Sequence, residues 1–236
     1  MAKTKNDIAF AQNYQNLYFV DTNPGGDPKM ERIGAGINSA NWNPNETVNE
    51  ASYYDSDGGT ESSVDGVNIT GTFSGHRKYG DPAQDYIFSK MGKIGSERQT
   101  NAKWVQPNGD TFEGPAKLLN IVPQGGDPNS KSECSFDIAF DGLPSFKAGD
   151  ATTFPTEISA EAVQVNVGAS AAIVVTVTPE GAAKQVVFGV ADDSIATVDA
   201  DGNVTGVTQG STKVSIKSAV KPSVTAAVDV TVQQQG

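Results

Sequence analysis

Apolar and polar residues alternate along most of the chain, and this period of two predicts strands with one buried face. In ECSFDIAF, one face carries Cys134, Phe136, Ile138 and Phe140, so we expect Cys134 to lie in a core row. VNITGTFSG is predicted to be another strand. ERIGAGINSANW and NAKWVQPNGDTFEGPAKLLNIV predict further strands, the latter with a turn at residues 107–110.

One segment of the first half has the pattern of a helix. Asp81 is a typical N-cap and Pro82 is favoured at the first helical position. Ile87, Phe88 and Met91 then cluster on one side, before a glycine that is expected to end the helix. The first half is therefore predicted to be a β-sandwich or barrel with one flanking helix packed on a sheet.

The second half predicts about seven short strands separated by turns, as in an immunoglobulin-like β-sandwich. Its strand segments are AVQVNVG, AAIVVTVTP, QVVFGV, SIATVD, NVTGV, TKVSIKS and TAAVDVTV. The tryptophans and tyrosines all lie in the first half, and this change in composition predicts a boundary between domains. We expect a first domain at 1–150 with a polar arm at 1–15, a linker at 151–156, and a second domain at 157–236.

Charge and cysteine content exclude several classes of function. The 236-residue chain has a formal net charge of −11, and both halves are acidic. Binding nucleic acid through its phosphates needs clustered Lys and Arg, so a nucleic-acid reader is not expected. The single cysteine allows no intrachain disulfide and no zinc site built on cysteine pairs. Because no apolar run has the length of a signal peptide or a membrane span, we expect a protein kept inside the cell.

The candidate metal-binding and catalytic patterns are weak. The acidic stretch 53–66 places Asp55 and Asp57 as an EF-hand loop does. However, that loop needs an oxygen ligand, then a glycine, and finally a glutamate at three further positions, where this sequence has glycine, threonine and glycine. Only an irregular cation site remains as an alternative. The lone His76 has no nucleophile motif beside it. We therefore predict that the protein is not an enzyme and has no cofactor.

The second half resembles the bacterial group 2 immunoglobulin-like domain. VNVGASAAIVVTVTPEGA and VVFGVADDSIATVDADGNVTGVTQGSTKVSIK follow its pattern of a glycine turn, a valine-rich strand ending in Thr-Pro, and a later SIATVD motif. The sequence departs from the family at Phe188, where tryptophan is usual, and we expect Phe188 in the core. The resemblance implies a fold and no particular function, because this module occurs in adhesins, enzymes and phage particles.

The first half, over residues 5–146, is similar to the major tail tube proteins of long, non-contractile-tailed bacteriophages. The motifs NPNETVNEASYYDSDGG, VDGVNITGTFSGHRKYGDPAQDYIFSK and FDIAFDGLP carry this resemblance. It implies a tail-tube β-sandwich or barrel that forms six-fold rings, which stack into a tube lined by strands from all subunits. Genomic DNA would leave the capsid through this tube, and an acidic lumen would repel its phosphates.

The resemblance also implies partners and a location. The subunit would bind copies of itself, the tape measure protein and the tail-terminator and tip proteins, while double-stranded DNA passes without tight binding. It would lie in the virion tail after assembly in the host cytoplasm, with host cell-wall carbohydrate as a candidate ligand of the exterior immunoglobulin-like domain. Two alternatives stay open: a bacterial surface or secreted binding protein, and the tube of a related injection machine such as a type VI secretion system.

Two segments are predicted to make contacts between rings. The first is the acidic stretch 53–66, expected as a long mobile loop whose contact residues are Tyr53, Tyr54, Asp55, Asp57, Glu61 and Asp65. The second is the N-terminal arm, through Lys5, Asp7 and Phe10. The alternative for the acidic stretch is a solvated hairpin with no partner.

Overall fold

A computed structural model describes residues 11–234, which form two β-rich halves in contact with each other. The strands of the first half are β1 (Leu17–Asp21), β2 (Met30–Ile33), β3 (Ile37–Asn43), β4 (Glu46–Ser52), β5 (Thr60–Val67), β6 (Thr70–His76), β7 (Gln99–Val105), β8 (Thr111–Val122), β9 (Glu133–Phe140) and β10 (Ser145–Lys147). Helix α1 is Pro82–Ser89, and short 3-10 turns lie at Asn13–Gln15, Tyr54–Ser56 and Gly95–Arg98. The predicted class, all-β with one flanking helix, is confirmed.

Most strands of the first half belong to one eight-stranded antiparallel sheet. Its order is β2, β1, β7, β8, β9, β6 and β3, with β10 beside β8. The sheet is strongly curved, since Tyr18 of β1 packs 6.3 Å from Trp42 of the edge strand β3, measured between ring centroids. The concave face encloses an aromatic core in which Phe73 and Phe136 are fully buried.

Helix α1 packs its apolar side against this core. The Asp81 carboxylate accepts a hydrogen bond from the Gln84 backbone N–H at 3.0 Å, which is the predicted N-cap. Ile87 and Phe88 are buried, as expected. The prediction for Met91 is wrong, because the helix ends before that residue and its side chain is half exposed.

The other sequence predictions for this half are mostly correct. Cys134 and Phe136 lie in the buried row of β9, and the turn predicted at 107–110 joins β7 to β8. VNITGTFSG was expected to form one strand, but the chain leaves β5 at Val67 and enters β6 at Thr70. The break occurs because β5 belongs to a separate hairpin and β6 to the main sheet.

The second half is an immunoglobulin-like sandwich, as predicted. Its strands are β11 (Glu157–Ala160), β12 (Val163–Asn166), β13 (Ser170–Ala172), β14 (Val175–Thr178), β15 (Val186–Val190), β16 (Ala196–Val198), β17 (Asn203–Gly206), β18 (Gly210–Ser218) and β19 (Thr225–Gln233). One sheet has the order β12, β19, β18 and β15, with β12 parallel to β19. Facing it are the ladders β13–β17–β16 and β11–β14.

A valine-rich core fills the space between these sheets, and Phe188 packs against it. A Cβ added at Gly202 would lie 2.6 Å from Cζ of the Phe188 ring, so the glycine makes room for this side chain. Two features differ from the prediction. AAIVVTVTP forms two strands, β13 and β14, and the short strand β11 was not predicted.

The two halves touch through a small apolar junction. Leu17 of β1, Val105 of β7 and Ala219 after β18 form a buried cluster. Beside it, the Gln15 side-chain amide donates a hydrogen bond to the backbone carbonyl of Val220. The described end of the N-terminal arm is therefore bound within the chain itself.

The segment expected to be a linker, 151–156, is packed onto the second half. The Ala151 side chain is buried, and the Thr152 backbone N–H donates to the Gly181 carbonyl at 3.0 Å. Just before it, the Gly149 backbone N–H donates to the Asp110 carboxylate at 2.7 Å. Both neighbours of the segment thus hold it in place, and the exact boundary between domains stays a prediction.

Candidate assembly surface

Residues 46–67 form a two-stranded hairpin that leaves the main sheet; we call it the acidic hairpin. Its strands β4 and β5 pair with each other and with no other strand in residues 11–234. Most of their side chains are exposed on both faces of the ribbon. The segment expected as a long loop therefore forms a hairpin with a short tip, as in the alternative interpretation. Its contacts with another ring stay a prediction.

Asparagines hold the base of the acidic hairpin. The Asn45 side-chain amide donates to the Asn68 carbonyl at 2.9 Å, which joins the residue before β4 to the residue after β5. The Asn45 backbone, with φ of 44°, is in the left-handed region, and its N–H donates to the Asn43 side-chain oxygen at 3.0 Å. Asparagine tolerates this conformation better than most residues. These bonds fix the direction in which the ribbon leaves β3 and β6.

The tip of the acidic hairpin exposes aromatic and acidic side chains together. Tyr54 is fully exposed and Tyr53 is 55% exposed, although both are large side chains with apolar rings. Asp57 and Gly58 have φ of 47° and 84°, which closes the turn between the strands. Asp55 is also exposed at this tip.

The other predicted carboxylates, Glu61 and Asp65, lie on β5 instead of the tip. The Ser63 hydroxyl donates to the Asp65 carboxylate at 2.7 Å. In the described part of the chain, no three His, Cys, Asp or Glu side chains are placed to hold a metal ion together. The acidic residues are thus spread along the ribbon and give it a negative surface.

An exposed apolar pair on the acidic hairpin was missed by the sequence analysis. Val48 of β4 stands directly opposite Val64 of β5, and these side chains are 51% and 55% exposed. ETVNEAS has no alternation of apolar and polar residues, and the cross-strand partner of Val48 is visible only in the structure. The pair gives one face of the ribbon an apolar spot among polar residues.

Lys5, Asp7 and Phe10, predicted as contacts of the N-terminal arm, lie outside the described residues. Close to the first described residue, the chain forms the 3-10 turn Asn13–Gln15. The predicted role of the arm in ring contacts stays a prediction.

His76 and Cys134 line the same open cleft of about 420 Å³ on the first half. Burial raises the pKa of the Cys134 thiol, and the nearby Arg77 offsets this only in part. A thiol with a raised pKa stays protonated at neutral pH and is a poor nucleophile. This environment is that of a packed structural cysteine.

None of the helices within residues 11–234 combines the length and the apolar character needed to cross a membrane.

A comparison with known protein families finds a similarity in the second half. Residues 153–232 match the family model of the bacterial Ig-like domain (group 2). No curated protein matches the sequence.

Several solved structures are similar to this chain. A chain from the tail of an empty gene transfer agent particle is 18% identical with a TM-score of 0.47, covering 58% of this chain and 98% of its own length. A chain of the anti-feeding prophage tube-terminating cap is 16% identical with a TM-score of 0.41, and the match covers 63% of this chain and 100% of the cap chain. Domains 4 and 5 of the S-layer protein SbsC are 20% identical with a TM-score of 0.28, and the match covers 84% of this chain and 98% of the SbsC chain. Residues 153–232 are therefore similar to the bacterial Ig-like domain (group 2).

Proposed function

We propose that this chain is the structural subunit of a phage tail tube, in which hexameric rings stack and conduct genomic DNA. The observation that carries this is the acidic hairpin, a two-stranded ribbon that no other described strand joins. A lone two-stranded hairpin is at best marginally stable in water. The ribbon therefore needs a surface to bind, and the next ring supplies one.

The edges of the main sheet support the same role. Its order ends at β2 and β3, so β3 has one edge without a strand partner among the described residues. Unpaired N–H and C=O groups at a sheet edge favour pairing with another chain. In the proposed ring, strands of neighbouring subunits join across this edge and close a barrel around the lumen.

The charge of the chain suits a DNA conduit. A net charge of −11 per subunit repels phosphate, so double-stranded DNA passes without being held. The tape measure, tail-terminator and tip proteins are the other proposed partners. The immunoglobulin-like domain decorates the exterior of the virion tail, and assembly takes place in the host cytoplasm.

Negative-stain electron microscopy of the purified full chain at high concentration tests this role. We expect rings or hollow tubes with knobs on the outside. Dispersed monomers would contradict the tube and favour the alternative, a bacterial surface or secreted binding protein with an immunoglobulin-like module.

A variant lacking residues 55–65 tests the acidic hairpin separately. It should stay folded by circular dichroism but form no tubes. Exposed Tyr79, which lies outside the hairpin, provides the matched control, and Tyr79→Ser should assemble normally. Normal tubes from the deletion variant would leave the tube role standing and remove the hairpin from it.

A further inference from the structure

Arg32 is a partly buried cation on β2. It stands opposite Phe19 of β1, whose ring packs beside the junction of the two halves. The Arg32 Nε atom is buried with no hydrogen-bond acceptor, and within residues 11–234 no carboxylate oxygen lies within 4.0 Å of its guanidinium group. The adjacent Glu31 carboxylate pairs with Lys29 at 3.0 Å instead. Buried polar groups are nearly always hydrogen-bonded, so this cation in an acidic chain calls for an explanation.

A groove of about 420 Å³ opens between the two halves beside Arg32. Lys217 also lines it, and among the described residues no carboxylate oxygen lies within 4.0 Å of the Lys217 amine. The rest of the lining includes the apolar residues Val187, Ala219 and Pro222, and no Asp or Glu from residues 11–234. The groove therefore combines an apolar surface with two positive charges that the described chain does not neutralise.

The tip of the acidic hairpin has the complementary chemistry. Tyr54 is fully exposed and directly precedes Asp55, and Asp57 follows at the turn. Within the part of the chain that the structure describes, no Lys or Arg nitrogen lies within 4.0 Å of either carboxylate. A tyrosine ring is a large apolar surface, so burying it in an interface stabilises that interface.

The tip and the groove are two different surfaces of the chain. The groove borders β2, which lies at one end of the strand order of the main sheet, whereas the hairpin extends from β3 at the other end. No residue of 46–67 lines the groove of its own chain. A contact between two different surfaces of identical chains is heterologous, and such contacts build rings or open filaments. The hairpin that fits the groove therefore belongs to a second copy.

We propose that the groove beside Arg32 binds the tip of the acidic hairpin of a second copy. The Tyr54 ring packs on the apolar surface of the groove, and the Asp55 carboxylate accepts hydrogen bonds from the planar fork of the Arg32 guanidinium. Lys217 adds a second positive charge for Asp57. Tyrosine and arginine are among the residues that dominate binding energy at interfaces. This inference rests on the self-assembly proposed above and names the surface that the hairpin binds.

Cross-linking between two full-length variants tests this contact. One chain carries Thr60→Cys beside the tip, and the other carries Ser215→Cys, which lines the groove and leaves both cations in place. A short bismaleimide is added to the mixture, and mass spectrometry identifies the joined thiols. Ser211→Cys is the matched control, because Ser211 is also exposed on β18 but lies outside the groove, roughly 13 Å along the strand. The natural Cys134 is buried and does not compete.

We expect the link between positions 60 and 215 to exceed the link between positions 60 and 211. Arg32→Gln in the groove chain, or Tyr54→Ser in the hairpin chain, should lower the 60–215 link at least about fivefold, since each removes a central residue of the contact. Lys213→Gln is the control for charge, because Lys213 lies on β18 but pairs with Asp229 outside the groove. Unchanged melting temperatures would show that the variants are folded.

Equal links to positions 215 and 211 would overturn the proposal, as would an unchanged 60–215 link in both Arg32→Gln and Tyr54→Ser. A 215–215 link that exceeds the 60–215 link would show that two grooves face each other, contrary to the proposal. Electron microscopy of the unmodified chain measures the tube role separately. Tubes without the selective 60–215 link would leave the tube role standing and remove this contact. The selective link without tubes would support the contact and contradict the tube.

Discussion

Trp42 and Trp104 stack with their ring centroids 5.1 Å apart and their planes 5° from parallel, although β3 and β7 are not neighbours in the sheet. The stack forms because the sheet curls until its edge strand faces its middle. Gly71 lies opposite Trp42 on β6, and a Cβ there would be 2.7 Å from the indole ring. The glycine thus allows the indole to lie flat over β6.

Gly71→Ala should destabilise the chain by about 2 kcal/mol, because the added methyl group must displace the Trp42 ring from its stack. Urea unfolding followed by tryptophan fluorescence measures the change. Gly92→Ala is the control, since a Cβ at Gly92 meets nothing within 4 Å and should change stability by less than about 0.5 kcal/mol. Equal stability of the two variants would show that Trp42 does not constrain Gly71.

The buried phenol of Tyr18 should make the folded chain less stable at high pH. Burial raises its pKa from 10.0 to about 12, so the folded chain keeps the phenol proton where the unfolded chain has lost it. The stability that comes from the protonated Tyr18 phenol is fully present below pH 10 and is lost as the pH rises toward 12. Between pH 10 and pH 12, the free energy of unfolding should fall by about 2 kcal/mol more in the wild type than in Tyr18→Phe.

Urea titrations at pH 9 and at successive higher values would measure that difference. Tyr79→Phe provides the control, because it removes the hydroxyl group of a tyrosine that is 73% exposed instead of buried. Parallel pH curves for Tyr18→Phe and the wild type would show that Tyr18 titrates equally in both states.

If the tail tube role holds, the apolar pair of the acidic hairpin should contribute to assembly. Val48→Thr with Val64→Thr keeps the β-branched shape but removes apolar surface, so the concentration needed for tubes should rise about tenfold. Sedimentation of assembled material measures this concentration. Val174→Thr changes a valine that is 74% exposed on the second half and should have no effect. An unchanged concentration for the double variant would place the contact elsewhere.

Ala219→Asp should weaken the junction between the halves. The new carboxylate would be buried against Leu17 and Val105 without a partner, at a cost of at least about 2 kcal/mol. Hydrogen exchange should become faster in β1 and β15, and thermal unfolding should start earlier. Ser223→Asp puts the same charge on an exposed residue nearby and should change neither. Unchanged exchange in Ala219→Asp would show that this cluster does not couple the halves.

Much of the fold was predictable from alternation alone. Strand β18 buries one face and exposes the other, so its sequence has a period of two, and β9 likewise keeps one face fully buried. Strand β11 was missed because it directly follows the segment 151–156, whose composition indicated a linker. Met91 was misplaced because helical spacing continues past the C-cap, where the backbone has already turned.

The candidate surfaces were less predictable for a different reason. The acidic composition of residues 53–66 indicated an exposed segment, but its hairpin geometry depends on Asn45 bonding to Asn68, which is distant in sequence. Likewise, Arg32 has nothing unusual in its local sequence. It lines a groove with residues of β15 and β18, and such a meeting of the two halves leaves no local pattern in the sequence.

The junction at Gln15, Leu17 and Ala219 also has a mechanical consequence. A pull on the second half is not taken up by a slack tether, because the segment 151–156 is hydrogen-bonded and packed in place. The load divides between that segment and the contact of Gln15 with Val220 beside β1. A force applied to the second half is thus passed to strand β1 of the main sheet by two separate connections.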